Sequence, residues 1–216
     1  MAFRTKWRER AIRLENIFHF IRGFSVIALM NEPGLYMILL GCRPPGRLTE
    51  QHDIFFGIAP DLKSLIPDMV KHWPEVKGKI HIDAWQQVQH ANGYKIAIQA
   101  RGDEVNKERQ VQLFFINLGG YKPDDFEEYH YKMVVAAKDS AEAVKLAKQT
   151  AFYQHTGYAG AVAHMDDKYG IDVDDVYRID DILPPHIKER YRITLISDGN
   201  SSPDELHIGY LSLDRI

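Results

Sequence analysis

The chain has 216 residues, 45% apolar and 26% charged, with 15 Gly, 10 Pro and a formal net charge of −3; this excludes collagen-like, disordered and disulfide-scaffold classes and allows one domain or two small ones. The single cysteine, Cys42, excludes an internal disulfide and fits a reducing cytosol, so a cytoplasmic location is expected. No excess of Lys and Arg suggests a nucleic-acid footprint, and no run of about 18 uncharged apolar residues provides a membrane span.

Residues 1–34 carry six basic side chains (Arg4, Lys6, Arg8, Arg10, Arg13, Arg22) against three acidic ones (Glu9, Glu15, Glu32). The apolar run Gly23 to Met30 is short and no small-residue cleavage site follows it, which argues against a secretory signal. The expectation is an extension lying before a translation start at Met30, with residues 1–29 dispensable.

From Leu35 the chain repeats itself. Shifted by 78 residues, Leu35 to Val70 aligns without a gap on Leu113 to Lys148, pairing Leu35/Leu113, Ile38/Ile116, Leu40/Leu118, Gly41/Gly119, Pro45/Pro123, Glu50/Glu128, His52/His130 and Asp61/Asp139. At an offset of 83 the alignment resumes with His81/His164, Asp83/Asp166, Tyr94/Tyr177 and Ile96/Ile179. Each copy opens with an apolar run that reads as a buried strand stopped by glycine, Leu35 to Leu40 and Leu113 to Leu118, and continues in strand-like Asp53 to Ile58 and Tyr131 to Ala137. A helix follows in each. Asp139-Ser-Ala-Glu142 is a capping-box start, with Val144, Ala147 and Ala151 as the apolar stripe and Gly157 as the stop, whereas in the first copy Asp61 caps and Pro67 shortens the helix or begins it. Further strands are expected at Ile80 to Asp83 and Ala161 to Asp166, and at Tyr94 to Gln99 and Val176 to Ile179. Leu183 to Arg190 reads as a short helix with prolines at its start, and Arg192 to Ile196 with Leu206 to Leu211 as a hairpin.

The expected fold class is therefore α+β: two tandem ββαββ repeats, residues 35–110 and 111–196, each an antiparallel or mixed sheet with a helix on one face, followed by a C-terminal hairpin strand, 197–216. Exposed strand edges leave a homodimer open.

The motifs Leu-Gly-Gly-Tyr-x-Pro (118–123), Glu128-x-His130, Lys-Gln-Thr-Ala-Phe-Tyr-x-His-Thr-Gly (148–157) and His164-x-Asp-Asp-Lys-Tyr-Gly170 resemble the bacterial domain-of-unknown-function family numbered fifteen forty-three, over about residues 35–196. The resemblance implies small, duplicated bacterial proteins, a start near Met30, and no established activity; it assigns no catalytic residues.

The polar residues common to both copies are the functional lead. Residues two apart on a strand share a face, so Glu50 with His52, His81 with Asp83, Glu128 with His130 and His164 with Asp166 form acid–imidazole pairs. Two histidines and two carboxylates can hold a divalent metal, and a carboxylate-oriented His can act as a general base. Neither HExxH nor CxxC is present, and bracing of loops by the same residues is the structural alternative. Gly119 and Gly120, like Gly41, read as a turn after the strand, with anion binding by their amides as the functional alternative. Cys42 beside Arg43 has no thiol counterpart in the second copy, which argues against nucleophilic catalysis. The acidic run Asp166 to Asp175 departs from the EF-hand template and reads as a solvated loop.

Two functions remain: a non-catalytic module binding a small ligand, an ion or a protein, and a metal-dependent hydrolase using His130, His164 and a carboxylate, Glu128 or Asp166. The first is preferred, with the second copy as the active one.

Overall fold

A run such as Leu35 to Leu40 offers apolar side chains to both faces of a strand, and in the computed structural model both faces are used. The structure describes residues 32–77, 79–102, 110–121, 124, 126–155, 172–199 and 202–216, with the backbone alone for 121, 151–155 and 172. Strand β1 (Gly34–Cys42) is central to a four-stranded antiparallel sheet with β2 (Gln51–Ala59), β3 (His81–Val88) and β10 (His207–Ser212), in the order β10-β3-β1-β2. Strand β6 (Gln112–Tyr121) is central to a second antiparallel sheet, between β7 (Glu128–Ala137) and β8 (Asp172–Arg178). A third sheet joins β4 (His90–Ala91), β5 (Tyr94–Ala100) and β9 (Tyr191–Ser197). The architecture is α+β with antiparallel sheets, and no described helix is long and apolar enough to cross a membrane.

Alternation along β1 divides its side chains between two cores. Tyr36, Ile38, Leu40 and Cys42 pack with Leu65 and Met69 of the segment that follows β2. That segment is a 3-10 turn, Lys63–Leu65, running into α1 (Ile66–His72). Asp61 accepts from both the amide and the hydroxyl of Ser64 at 2.8 Å, and Pro67 sits in the first turn of α1, where its missing N–H costs nothing. On the other face, Leu35 and Met37 join Phe56, Ile58, Leu113, Phe115, Ile179, Leu183, Ile187 and Ile193 in a core shared by all three sheets. Phe56 meets Phe115 edge to face with centroids 5.5 Å apart, which ties the first two sheets together. A third core lies under α2 (Ser140–His155), where Ala143 and Ala147 are fully buried on Phe114, Ile116 and Leu118. The capping box is closed: Glu142 N–H donates to Asp139 at 2.8 Å, and Glu142 accepts from the Lys138 amide at 2.8 Å.

Several expectations are corrected by this topology. The apolar stripe of α2 runs through Ala143, Leu146 and Ala147, with Val144 only half-buried. Gly41 and Gly119 lie inside β1 and β6, which run on to Cys42 and Tyr121, so neither glycine forms a turn. Much of the acidic run belongs to β8. Its place beside β6 matches that of β3 beside β1, so Tyr177 is part of the second sheet while Tyr94 starts β5 in the third, and Ile179 opens the one-turn helix α3 (Ile179–Ile182). The helix expected before β9 is present as α4 (Pro185–Arg190), with proline at its start. The C-terminal hairpin is not formed. β9 pairs with β5 and β10 with β3, because the intervening segment is held elsewhere: buried Asp204 accepts from the amides of Gln89 and His90, and His207 stacks on Trp85 with ring centroids 3.8 Å apart. The first and third sheets and the shared core therefore cross the expected boundary at 110, and β10 carries the first sheet across that at 196. Ala161 to Asp166, Gly157 and residues 1–31 lie outside the described residues.

Candidate metal centre and cleft

The register of the first sheet assembles four polar side chains over one glycine. His52 stands directly opposite Gly41 on β2, and His81 opposite it on β3. A bulge between Leu39 and Leu40 leaves one extra residue on β3, Asp83, which the bulge aims back over β1. Glu50 reaches in from the loop just before β2. A Cβ at Gly41 would overlap Asp83 Oδ2 and lie 2.5 Å from His81 Nε2, so the cluster fits only because that position has no side chain.

The nitrogens and oxygens converge. His81 Nε2 lies 3.1 Å from Glu50 Oε1 and 3.2 Å from Asp83 Oδ1, and His52 Nε2 lies 3.2 Å from Asp83 Oδ2 and 3.9 Å from Glu50 Oε2. Three of these separations, 3.1–3.2 Å, are short enough for hydrogen bonds, yet the angles make none: His81 Nε2 and Asp83 Oδ2 are buried without a hydrogen-bond partner among the described residues. Ligands each about 2.1 Å from one ion stand roughly 3.0–3.4 Å apart, which is the spacing of those three. Only 9% of His81 is exposed, and Tyr210 of β10 covers its ring at 4.4 Å. His52 remains 43% exposed.

The second sheet repeats the geometry with other residues. His130 stands opposite Gly119, and a bulge between Asn117 and Leu118 leaves Asp174 as the extra residue on β8. A Cβ at Gly119 would lie 2.7 Å from Asp174 Oδ2, and His130 Nε2 is 3.3 Å from that same oxygen. Glu128, His130 and Asp174 bring one potential ligand atom each within 4.8 Å of one another, as do Glu50, His81 and Asp83. The register places Asp172 where β3 has His81. Asn117, 9% exposed, donates from Nδ2 to Asp175 Oδ2 at 3.2 Å and to Asp174 Oδ2 at 3.5 Å, and its Oδ1 is buried without a partner among the described residues.

A cleft of about 800 Å³, the size of a small-molecule site, opens onto both sheets. Glu50, His52, Asp53 and His72 line it on one side, and Asn117, His130, Lys132 and Asp175 on the other. Burial pushes the Lys132 ammonium below its usual pKa, against the pull of Asp174. Burial likewise raises the Asp53 carboxyl, but the His72 hydrogen bond, the Ile54 amide and the charge of His72 outweigh it and hold Asp53 below the ordinary carboxylate range. Cys42, 1% exposed, belongs to the core beneath β1, and burial followed by the Glu50 charge raises its thiol pKa.

The family model of Domain of Unknown Function (DUF1543) matches residues 47–98. This family match contains Glu50, His52, His81 and Asp83 and stops before β6. The crystal structure of the protein Il1583 from Idiomarina loihiensis is similar at a TM-score of 0.58 and 25% identity, over 84% of this chain and 98% of that one. No curated protein matches the chain.

Of the residues singled out from the sequence, Glu50, His52, His81 and Asp83 come together, and Glu128 and His130 meet around Asp174. Gly119 underlies that second group, while Gly120 points to the opposite face of β6. His164 and Asp166 lie outside the described residues. Among the described residues, the set richer in imidazole is in the first half. Asp174 and Asn117 were missed because a bulge sets the pairing of the third strand: Asp174 answers Asp83 at an offset of 91, not 83.

Proposed function

We propose that the chain binds a divalent transition-metal ion through Glu50, His52, His81 and Asp83 and presents it to a small polar ligand in the cleft. The observation that carries this reading is the pair of buried atoms His81 Nε2 and Asp83 Oδ2, which lie at ligand–ligand distance from Glu50 and His52 without a hydrogen bond among the described residues. Buried polar groups are otherwise almost always satisfied, and an ion is the partner that mixed imidazole and carboxylate donors fit. The cluster and its counterpart around Asp174 further support an origin of the two halves in one duplicated ββαβ unit. The lone buried thiol of Cys42 supports a cytoplasmic setting.

Binding without catalysis is the preferred form. Metal-assisted hydrolysis is the second reading, favoured by His52: Glu50, His81 and Asp83 suffice as three ligands, which leaves an exposed imidazole beside an open coordination position that could accept a proton from bound water.

Elemental analysis and Zn²⁺ titration of protein purified without chelators provide the test, alongside H81A/D83N with its fold checked by circular dichroism. One ion per chain in the parent protein, lost in the variant, is expected; equal and negligible zinc in both overturns the proposal. With metal bound, ester or phosphate turnover that falls at least tenfold in H52A would favour hydrolysis over binding.

A further inference from the structure

We infer that the cleft takes a second, harder divalent cation on Glu128, His130 and Asp174, with lower affinity than the first. This deepens the metal-binding reading and rests on it for the occupant of the neighbouring site. Three independent features meet here. The ligand atoms lie within 4.8 Å of one another. Gly119 leaves open the space into which the bulged Asp174 leans, as Gly41 does for Asp83. Asn117, nine-tenths buried and lining the cleft, donates from Nδ2 to Asp175 and Asp174 and so fixes the carboxylate that leans over Gly119, while its Oδ1 is a buried acceptor with no hydrogen-bond partner among the described residues.

The donor sets differ in hardness. The first site offers two imidazoles and two carboxylates; the second offers one imidazole and two carboxylates. Oxygen-rich donors suit Mn²⁺ or Mg²⁺, while nitrogen-rich ones suit Zn²⁺. Lys132 stands opposite Asn117 on β7 and feels the Asp174 charge, so its ammonium competes with a bound cation. The second site is accordingly the weaker, and the cleft discriminates between ions along its length.

The test uses the full chain, first loaded with one equivalent of Zn²⁺ and then titrated with Mn²⁺, with free Mn²⁺ read by electron paramagnetic resonance. One further Mn²⁺ per chain is expected. It should be lost, with zinc retained, in D174N and in H130A, the latter altering an exposed side chain that the fold does not need. Lys132→Gln should tighten Mn²⁺ by about fivefold, the effect of removing one nearby like charge. No Mn²⁺ uptake by the parent protein, or uptake unchanged in both D174N and H130A, overturns the inference. The two sites are separable: Mn²⁺ that binds through Asp174 when zinc does not bind at all would sink only the first reading, and zinc without Mn²⁺ only this one.

Discussion

Asp83 leans so closely over Gly41 that a side chain on the glycine would occupy the space of its carboxylate. Asp83 is the bulged residue of β3, and Gly41 lies mid-sheet with ordinary backbone angles, so the absence of a side chain serves the cluster and not the chain path. Alanine at 41 would press on the carboxylate of Asp83, which can swing aside, and on the imidazole of His81, which is buried under Tyr210 and has to shift. Gly41→Ala is therefore expected to cost about 1–3 kcal/mol of stability while weakening zinc at least tenfold. Denaturant melts beside metal titrations check this; unimpaired zinc binding would show that the glycine is incidental.

Asn92 joins the third sheet to the second. It sits at φ 32° in the Asn92-Gly93 turn between β4 and β5, and its side chain imitates a strand neighbour for β7, donating from Nδ2 to the Ala136 carbonyl at 2.9 Å and accepting from the Ala136 amide at 2.7 Å. Ala136 is buried, so losing the donor sets a carboxylate against a carbonyl with little water to separate them. Asn92→Asp keeps the turn preference and should still cost about 1–3 kcal/mol. A urea midpoint within error of the parent's would refute the bracing role.

What could be read in advance was what local pattern encodes. Apolar runs mark β1 and β6, capping chemistry marks the starts of the 3-10 turn and α2, and identical spacing brings Glu50 with His52, and Glu128 with His130, to the same places beside a glycine. Bulges were not legible, because one extra residue on β3 or β8 is set by pairing across the sheet; this hid Asp174 and turned its strand into an expected acidic loop. Nor was the destination of the C-terminal strands. Arg192 to Ile196 and Leu206 to Leu211 look like hairpin partners until Asp204, far along the chain from Gln89 and His90, claims their amides.

Cys42 bears on how the thiol should behave. Its side chain belongs to the core beneath the sheet, with Leu40 and Ile82, while the proposed metal ligands stand above it, and burial with the Glu50 charge disfavours the thiolate. Reaction with a chromogenic disulfide at pH 8 should be at least a hundredfold slower in the folded protein than in denaturant, since only the accessible thiolate attacks. Cys42→Ala should leave zinc uptake unchanged. Rapid labelling of the native protein would mean that β1 opens readily, and zinc loss in the variant would place the sulfur in the site.

The His72–Asp53 pair, with Nε2 and Oδ2 2.9 Å apart, ties α1 to β2 at the cleft edge. Burial favours the protonated carboxyl, but the hydrogen bond and charge of His72 with the Ile54 amide prevail and hold Asp53 below its ordinary value. A carboxyl whose pKa is lower folded than unfolded stabilises the fold while ionised. That contribution is complete above the unfolded value of about 3.9 and disappears as pH falls through the lower folded value. The Asp53 side chain is 56% exposed, so solvent screening limits the contribution to under about 1 kcal/mol. Asp53→Asn should thus be slightly less stable than the parent from pH 5 to 6, and the difference should close below about pH 3. Unfolding of metal-free protein with chelator present isolates this effect from acid release of a bound ion; a difference that widens towards acid would reverse the sign and contradict the stabilising pair.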